Sequence, residues 1–359
     1  MPLKTLLIVL VTLALVKSSP TFKNVEFKGY SVFTLKFSRA IVEASTLKTE
    51  LPDQIYDHLE FIEQSIPVLK EGSVSDIEDL DELTIEKCKL KTIEAGAFKN
   101  LPMLRRLSLK GNCLEEIAEG VFNNLRISIL DLSQNQIKLI RDDALTSLPN
   151  LLTINLADNV ISEWNKRWFY QVPLLTRISM QNNSLETIPS KAFPNLKGEK
   201  RYGKVRLTLN LIFSHNQIKE IEENAFEGIE NINNLWLDHN KITNFSDDLL
   251  EKVNVKDLRL EHNQIRCLNG NLSSIIKAEM THMDGNPFDC KCLEKVQKWA
   301  EEKDRKLDLF YSEMHCAADR IKKKMSDFEK RLKDINAGKE AEEVNSNQRI
   351  EDEIEVFSE

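Results

Sequence analysis

From Leu83 onward the apolar residues return in one fixed order. A leucine-x-leucine pair comes first, an asparagine follows five residues after its first member, an aliphatic or aromatic residue ten after it, and a Phe or Leu fifteen after it. The stretch Leu104–Leu125, LRRLSLKGNCLEEIAEGVFNNL, is the clearest copy, with Leu107, Leu109, Asn112, Leu114, Ile117 and Phe122 in the columns. The anchors are Leu83, Leu107, Leu130, Ile154, Ile178, Leu211, Leu235 and Leu258, in steps of 24, 23, 24, 24, 33, 24 and 23 residues. Five residues after them stand Cys88, Asn112, Asn135, Asn159, Asn183, Asn216, Asn240 and Asn263. Ten after stand Ile93, Ile117, Ile140, Trp164, Ile188, Ile221, Phe245 and Leu268, and the last column holds Phe98, Phe122, Leu145, Phe169, Phe193, Phe226 and Leu250.

Each column has a physical reason. Side chains alternate faces along a strand, so the leucine pair predicts a short strand with its leucines turned inward. One copy cannot bury that face alone, so neighbours stack and share one continuous core. The asparagine falls where the chain leaves the strand, and an amide carries both donors and acceptors for the buried backbone groups there. Cys88 stands in that column as a thiol variant, and the Phe column fills the wider convex side. The pattern therefore predicts an α/β solenoid with short parallel strands on its concave face, spanning 80–286.

Before the repeats, residues 1–18 read as a secretory signal peptide, with Lys4 as the charged start, Leu6–Val16 as the apolar stretch and Val16-Lys17-Ser18 as the cleavage region. Counting back in steps of 24 from Leu83 lands on Leu59 and Leu35, so 19–79 is expected to hold two degenerate terminal repeats, with Gln64 and Ala40 in the asparagine column. A short unrelated cap is the alternative. The 33-residue step contains an insertion near Lys197–Val205, KGEKRYGKV, expected as a lysine-rich surface loop at one rim of the sheet, with a part in a binding surface as the alternative.

After the repeats come Asn286-Pro287-Phe288-Asp289-Cys290-Lys291-Cys292, then Trp299 and Cys316, within a segment of 287–316. These residues resemble the cysteine-bearing C-terminal flank of extracellular leucine-rich repeat proteins. From Leu80 to Cys316 the chain resembles the 24-residue repeat type of Toll-like receptor and Slit-like ectodomains. The resemblance implies a leucine-rich repeat horseshoe closed by a cysteine cap. The layout also resembles the secreted leucine-rich immune proteins of insects, which would imply pathogen recognition or complement-like partners. In the family pattern each of the two close cysteines pairs with a later one, and here Cys316 is the one cysteine that follows. Cys267 can supply the missing partner, since it and Cys290 hold the same place in successive copies. Two pairings stay open: Cys267–Cys290 with Cys292–Cys316, or Cys290–Cys316 with Cys267–Cys292. Cys88 and Cys113 are expected to stay unpaired, because one column points in and the next out.

Ile321, Met325, Phe328, Leu332 and Ile335 then form one apolar stripe on an expected amphipathic helix, 317–338. The stripe is expected to dock on its own chain, with self-association through this helix as the alternative. The remaining 339–359 is polar and acidic, with Arg349 the one basic residue after Glu340, and reads as a disordered tail.

Composition narrows the function. The net charge of −8 presents no basic face for nucleic acid. No second apolar run of membrane-spanning length follows the signal peptide, so a secreted, extracellular protein with no transmembrane anchor is expected. Six cysteines in that compartment favour disulfides. Asn182, Asn244 and Asn271 open N-x-S triplets and are expected glycosylation sites.

Chemistry is sparse. His215, His239 and His262 each precede the column asparagine, beside Asp238 and Glu261, and stacked copies would bring their imidazoles together. With those carboxylates they could hold zinc or sense acid pH, but a flat ladder lacks the convergence that metal ligation needs, so no metal and no cofactor are expected. No nucleophile, base and oxyanion set can be assembled and no glycine-rich phosphate loop is present, so no enzyme is expected. Function then falls to outward positions of the concave strands, above all Arg177, Gln181, Ile212, Trp236, Asp238, Arg259 and Glu261, where an exposed Trp beside Ile212 would anchor a ligand. The expectation is a secreted binding protein that recognises a protein or microbial-surface ligand in innate immunity or extracellular signalling. An extracellular matrix or adhesion component with a mainly structural role is the alternative, since fold alone does not fix function.

Overall fold

The structure is a computed structural model describing residues 20–31, 34–49, 51, 56–194, 196, 199–202, 205–305 and 307–336. The expected signal peptide and acidic tail lie outside these residues. The chain divides into a large unit ending at Leu309 and a second that starts at Phe310.

The large unit is a solenoid built on a single long sheet. Its repeat strands pair in parallel, and the inward anchors align from strand to strand without a slip: Leu59, Leu83, Leu107, Leu130 and Ile154, then Ile178, Leu211, Leu235, Leu258 and Thr281. All of these side chains are buried. A one-residue slip would turn every leucine outward, so burial of one face fixes the register. Across the solenoid, Phe98 stacks on Phe122 and Phe193 on Phe226, with ring centroids 6.1 and 5.9 Å apart. Trp164 fills the aliphatic column against Phe193 and Phe213, and its indole N–H donates to Ala192 O at 3.0 Å.

The asparagine ladder ties each turn to the one before it. Asn240 is representative: its amide donates to Phe213 O of the preceding repeat at 2.9 Å and to Leu237 O at 3.0 Å, while its oxygen accepts from Ile218 N at 3.0 Å. Cys88 takes this place with a weaker donor, its thiol lying 3.3 Å from Phe61 O and 3.2 Å from Glu86 O.

The N-terminal part departs from expectation. Leu59 does anchor a repeat strand, His58–Ile62, paired in parallel with Glu82–Glu86. Leu35 does not anchor one. Phe22–Ser31 and Lys36–Ala44 form an antiparallel hairpin, and the first of these strands pairs antiparallel with His58–Ile62. Leu35 sits in the connecting turn with φ of 53° and is 77% exposed. The reason lies in Phe22, Val25 and Phe27, which turn inward and bring Phe22 onto Phe61 and Phe27 onto Tyr56. The hairpin thereby covers the first edge of the sheet, which would otherwise offer unpaired backbone groups.

The insertion also takes an unexpected form. Glu199–Tyr202 pairs antiparallel with the beginning of Val205–Ile212, and the end of that same strand enters the main sheet beside Arg177–Ser179. A strand extension replaces the expected loop.

At the other end, the helix Cys290–Glu302 buries Cys292, Leu293, Val296 and Ala300. Cys267 is bonded to Cys292 with the Cα atoms 5.5 Å apart, which selects between the two pairings, and Cys290 and Cys316 are disulfide-bonded as well. Cys88 and Cys113 are free. In the second unit the helix runs from Phe310 to Asn336, starting earlier than the stripe alone indicates. Ile321 and Met325 of the stripe are 53% and 54% exposed.

Candidate functional site

Three positions of each repeat reach the concave surface: the residue before the anchor, the one after it, and the one two further on. Parallel pairing in register then stacks equivalent positions at strand spacing, roughly 4.8 Å. Ile212, Trp236, Arg259 and His282 form one such column, since they pair in turn along the sheet.

Trp236 is half-buried rather than fully exposed. Its indole N–H donates to Asp257 Oδ2 at 2.9 Å, and the Arg259 guanidinium carbon lies 4.2 Å from its ring centroid. Arg259 Nε also stands 3.4 Å from Asp257 Oδ2, and His282 Nε2 stands 3.5 Å from Asp257 Oδ1. One buried carboxylate therefore organises an indole, a guanidinium and an imidazole. Ile212 needs correction as a ligand-contact residue. It is 2% exposed, because the larger Trp236 stands beside it in the ladder and shades it. Arg177 is exposed and Gln181 half-buried, both on the neighbouring strand side of Ile212.

Asp238 accepts from Ser214 Oγ at 2.6 Å and lies 3.0 Å from His239 Nδ1. Glu261 is half-buried, and its nearest basic neighbour, His282 Nδ1, stands 4.0 Å away. Burial pushes its carboxyl above the usual range, against opposing contributions from its own backbone N–H, His282 and Arg259, and Asp238 pushes the same way as burial. Glu261 Oε2 is buried without a hydrogen-bond partner, and Asp257 Oδ1 and Arg259 Nε make no hydrogen bond either, being engaged only in the longer ion pairs with His282 and Asp257.

His215, His239 and His262 form the expected ladder, with centroid separations of 4.1 and 4.4 Å. All three occupy a left-handed turn, with φ of 57°, 55° and 51°. Gly285 ends the column, and a Cβ on it would lie 2.4 Å from His262 Nδ1. One ligand atom each of His215, Asp238 and His239 lies within 4.8 Å of the others, a convergence that the flat-ladder expectation did not include.

Asp257 and His282 escaped the sequence reading. Their signal was positional: Asp257 directly precedes the anchor Leu258, and His282 follows Thr281, whose polarity hid the last strand. Of the glycosylation triplets, Asn182, Asn244 and Asn271 are all exposed. Asn182 donates its amide to Asp158 Oδ1 at 2.7 Å, and Asn271 caps a short helix by accepting from Ser273 N.

Family comparison agrees with this architecture. The family described as Leucine rich repeat matches residues 78–137 and 126–185, and the BspA type Leucine rich repeat region matches 206–313, together more than half of the chain. The chain belongs to the leucine-rich repeat proteins. Keratocan of Gallus gallus is 29% identical over 209 residues, covering 56% of this chain and 53% of keratocan. Osteomodulin of Bos taurus is 26% identical over 186 residues, covering 51% of this chain and 41% of its own. The chain thus spans about half or less of the length of these relatives. Among solved leucine-rich repeat structures, the mouse RP105/MD-1 complex superposes with a TM-score of 0.53 at 20% identity, covering 67% of this chain and 42% of the other. Among the described residues no helix is long and apolar enough to cross a membrane.

Proposed function

We propose that this chain is a secreted binding protein, not an enzyme, that recognises a protein or microbial-surface ligand through the late concave strands. The contact residues are Arg177, Gln181, Trp236, Asp238, Arg259 and Glu261, with Asp257 and His282 holding them in place. The observation that carries this reading is the buried Glu261 Oε2, which has no hydrogen-bond partner, beside Asp257 and Arg259, whose contacts with each other and with His282 are long ion pairs that make no hydrogen bond at Asp257 Oδ1 and Arg259 Nε. A buried polar atom without a partner is costly, and a ligand that supplies the partner recovers that cost on binding. Trp236, held by Asp257 and covered by Arg259, adds an aromatic anchor of the kind that dominates interface energetics. With Asp238, Asp257 and Glu261 close together, the complementary ligand presents a basic or hydrogen-bond-donating group. Secretion is supported by the leader-like residues 1–18 and by disulfides that form in oxidising compartments. The fold is shared with the mouse RP105/MD-1 complex, and such a fold is compatible with ligand binding.

Proximity labelling in extracellular fluid, comparing the intact chain with a folded Trp236→Ala/Arg259→Ala variant, tests the reading. Loss of one specific partner in the variant supports it; an unchanged partner set moves the binding surface elsewhere. A second association is proposed for the helix Phe310–Asn336, whose exposed Met314, Ile321 and Met325 suit a second copy of the same helix. Ile321→Lys/Met325→Lys should convert a concentration-dependent dimer to monomer in analytical ultracentrifugation, and a monomeric intact chain would refute it.

A further inference from the structure

Left-handed turn positions favour Asn, Asp and His among residues with a side chain, which accounts for an occasional histidine in this column. It does not account for three in successive repeats. Other copies of the same position carry Lys87, Gly111, Gln134, Asp158, Asn182 and Gly285. Because each turn is pinned by the asparagine that follows it, the imidazoles are held over one another by the backbone, not by chance rotamers. Asp238 is fixed in turn: Ser214 Oγ holds Oδ1 at 2.6 Å, and Oδ2 faces His239 Nδ1 at 3.0 Å.

We propose that His215, His239 and Asp238 form a site for a borderline divalent transition-metal ion, zinc being the reference case. The three donors already gather within 4.8 Å. Zinc holds nitrogen and carboxylate oxygen at about 2.0–2.2 Å, so bound donors stand no more than roughly 4 Å apart and the rings must tip slightly inward. The planes of His215 and His239 are inclined by 22°, and both residues are exposed, so that rotation meets little resistance. Two imidazoles with one carboxylate select zinc, copper or nickel over calcium and magnesium, which prefer all-oxygen sets. The Ser214 hydroxyl orients the ligating carboxylate, as outer-shell partners do at established sites. Three protein donors leave a coordination position open toward the concave surface. The site shares Asp238 with the ligand-binding surface proposed above, and the histidine variants separate the two readings, since neither His215 nor His239 is a contact residue of that surface.

The test is titration of zinc chloride into the untagged, metal-stripped full chain by calorimetry, with cobalt(II) absorption as a geometric readout. One ion per chain is expected, with ligand-field bands of a four- or five-coordinate cobalt. His239→Ala and Asp238→Ala should each weaken binding by about tenfold or more, whereas His262→Ala, one step beyond the site, should leave it unchanged. His215→Ala alters an exposed ring and serves as the variant least able to disturb folding, with a urea melt as the check. The proposal is overturned by absence of zinc binding to the intact chain. It is equally overturned if a folded His215→Ala/His239→Ala variant binds as tightly as the parent, or if His262→Ala abolishes binding while His215→Ala does not.

Discussion

Replacing Asn240 tests whether the asparagine ladder holds adjacent repeats together. In Asn240→Ala the Ile218 N–H loses the Asn240 oxygen that it donates to at 3.0 Å in a buried setting. Stranding a buried donor costs roughly 1–3 kcal/mol. The two carbonyls fare better, because Phe213 O keeps Asn216 Nδ2 at 3.0 Å and Leu237 O keeps Asn263 Nδ2 at 2.9 Å. Each of those losses is nearer the net value of an ordinary hydrogen bond, roughly 0.5–1.5 kcal/mol. The sum is about 4 kcal/mol, a large share of the roughly 5–15 kcal/mol that holds a domain folded. Asn240→Asp adds a diagnostic sign. Its carboxylate would keep the bond from Ile218 but face the carbonyls of Phe213, Leu237 and Asp238, so its folded pKa rises above the unfolded value of about 3.9. The native state then holds the proton more tightly, and stability falls as pH rises above about 4, flattening once the folded pKa is passed. Urea unfolding followed by tryptophan fluorescence, from pH 4 to 8, measures both effects. An alanine variant within about 0.5 kcal/mol of the parent, or an aspartate variant whose penalty is flat with pH, would refute the reasoning.

Other consequences are more local. Gly29→Ala would place a Cβ 2.4 Å from the Tyr56 ring. Thermal unfolding should show a loss of about 1–3 kcal/mol from overpacking, and an unchanged midpoint would show that the terminal hairpin packs differently. The Cys267–Cys292 bond closes a segment with a separation of 25 residues. A Cys267→Ala/Cys292→Ala variant should lose about 3.5 kcal/mol in urea unfolding, by restoring loop entropy to the unfolded chain, and no loss would contradict that. Burial pushes the Cys88 thiol up, while Cys113 is half-buried, so a disulfide reagent should modify Cys113 first in the native protein. Equal rates would count against the burial of Cys88.

The repeat core was legible because its signals are redundant: leucine pairs, asparagines and phenylalanines each report the same 24-residue register. The terminal hairpin was not, because alternation such as Val25 and Phe27 is shared by parallel and antiparallel strands, and the register shift between Phe22 and Val25 breaks even that period. Leu35 then happened to fall at a multiple of the repeat length. Long-range pairing direction is not written in local periodicity. On the candidate site, Trp236 and Arg259 could be found by column, but their contact depended on Asp257, which occupies a column that had not been followed through the late repeats. Ile212 erred in the opposite sense, since position along a strand gives the face and not the shading by a larger neighbour. The histidine ladder with Asp238 beside it was legible as a stack, and the approach of one ligand atom each of His215, Asp238 and His239 to within 4.8 Å was not, because it depends on side-chain rotamers.

The central claim is that the late concave strands meet the ligand. Its most direct measurement is site-specific photo-crosslinking in extracellular fluid of the organism the chain comes from. The crosslinker is placed in turn at Arg177 and Gln181 on the concave strands and at the exposed Tyr170 outside them. The account predicts one partner captured from both concave positions, absent from the Tyr170 position and lost when Trp236 and Arg259 are both replaced by alanine. Equal capture from Tyr170, or capture that survives the double replacement in a folded chain, would contradict it.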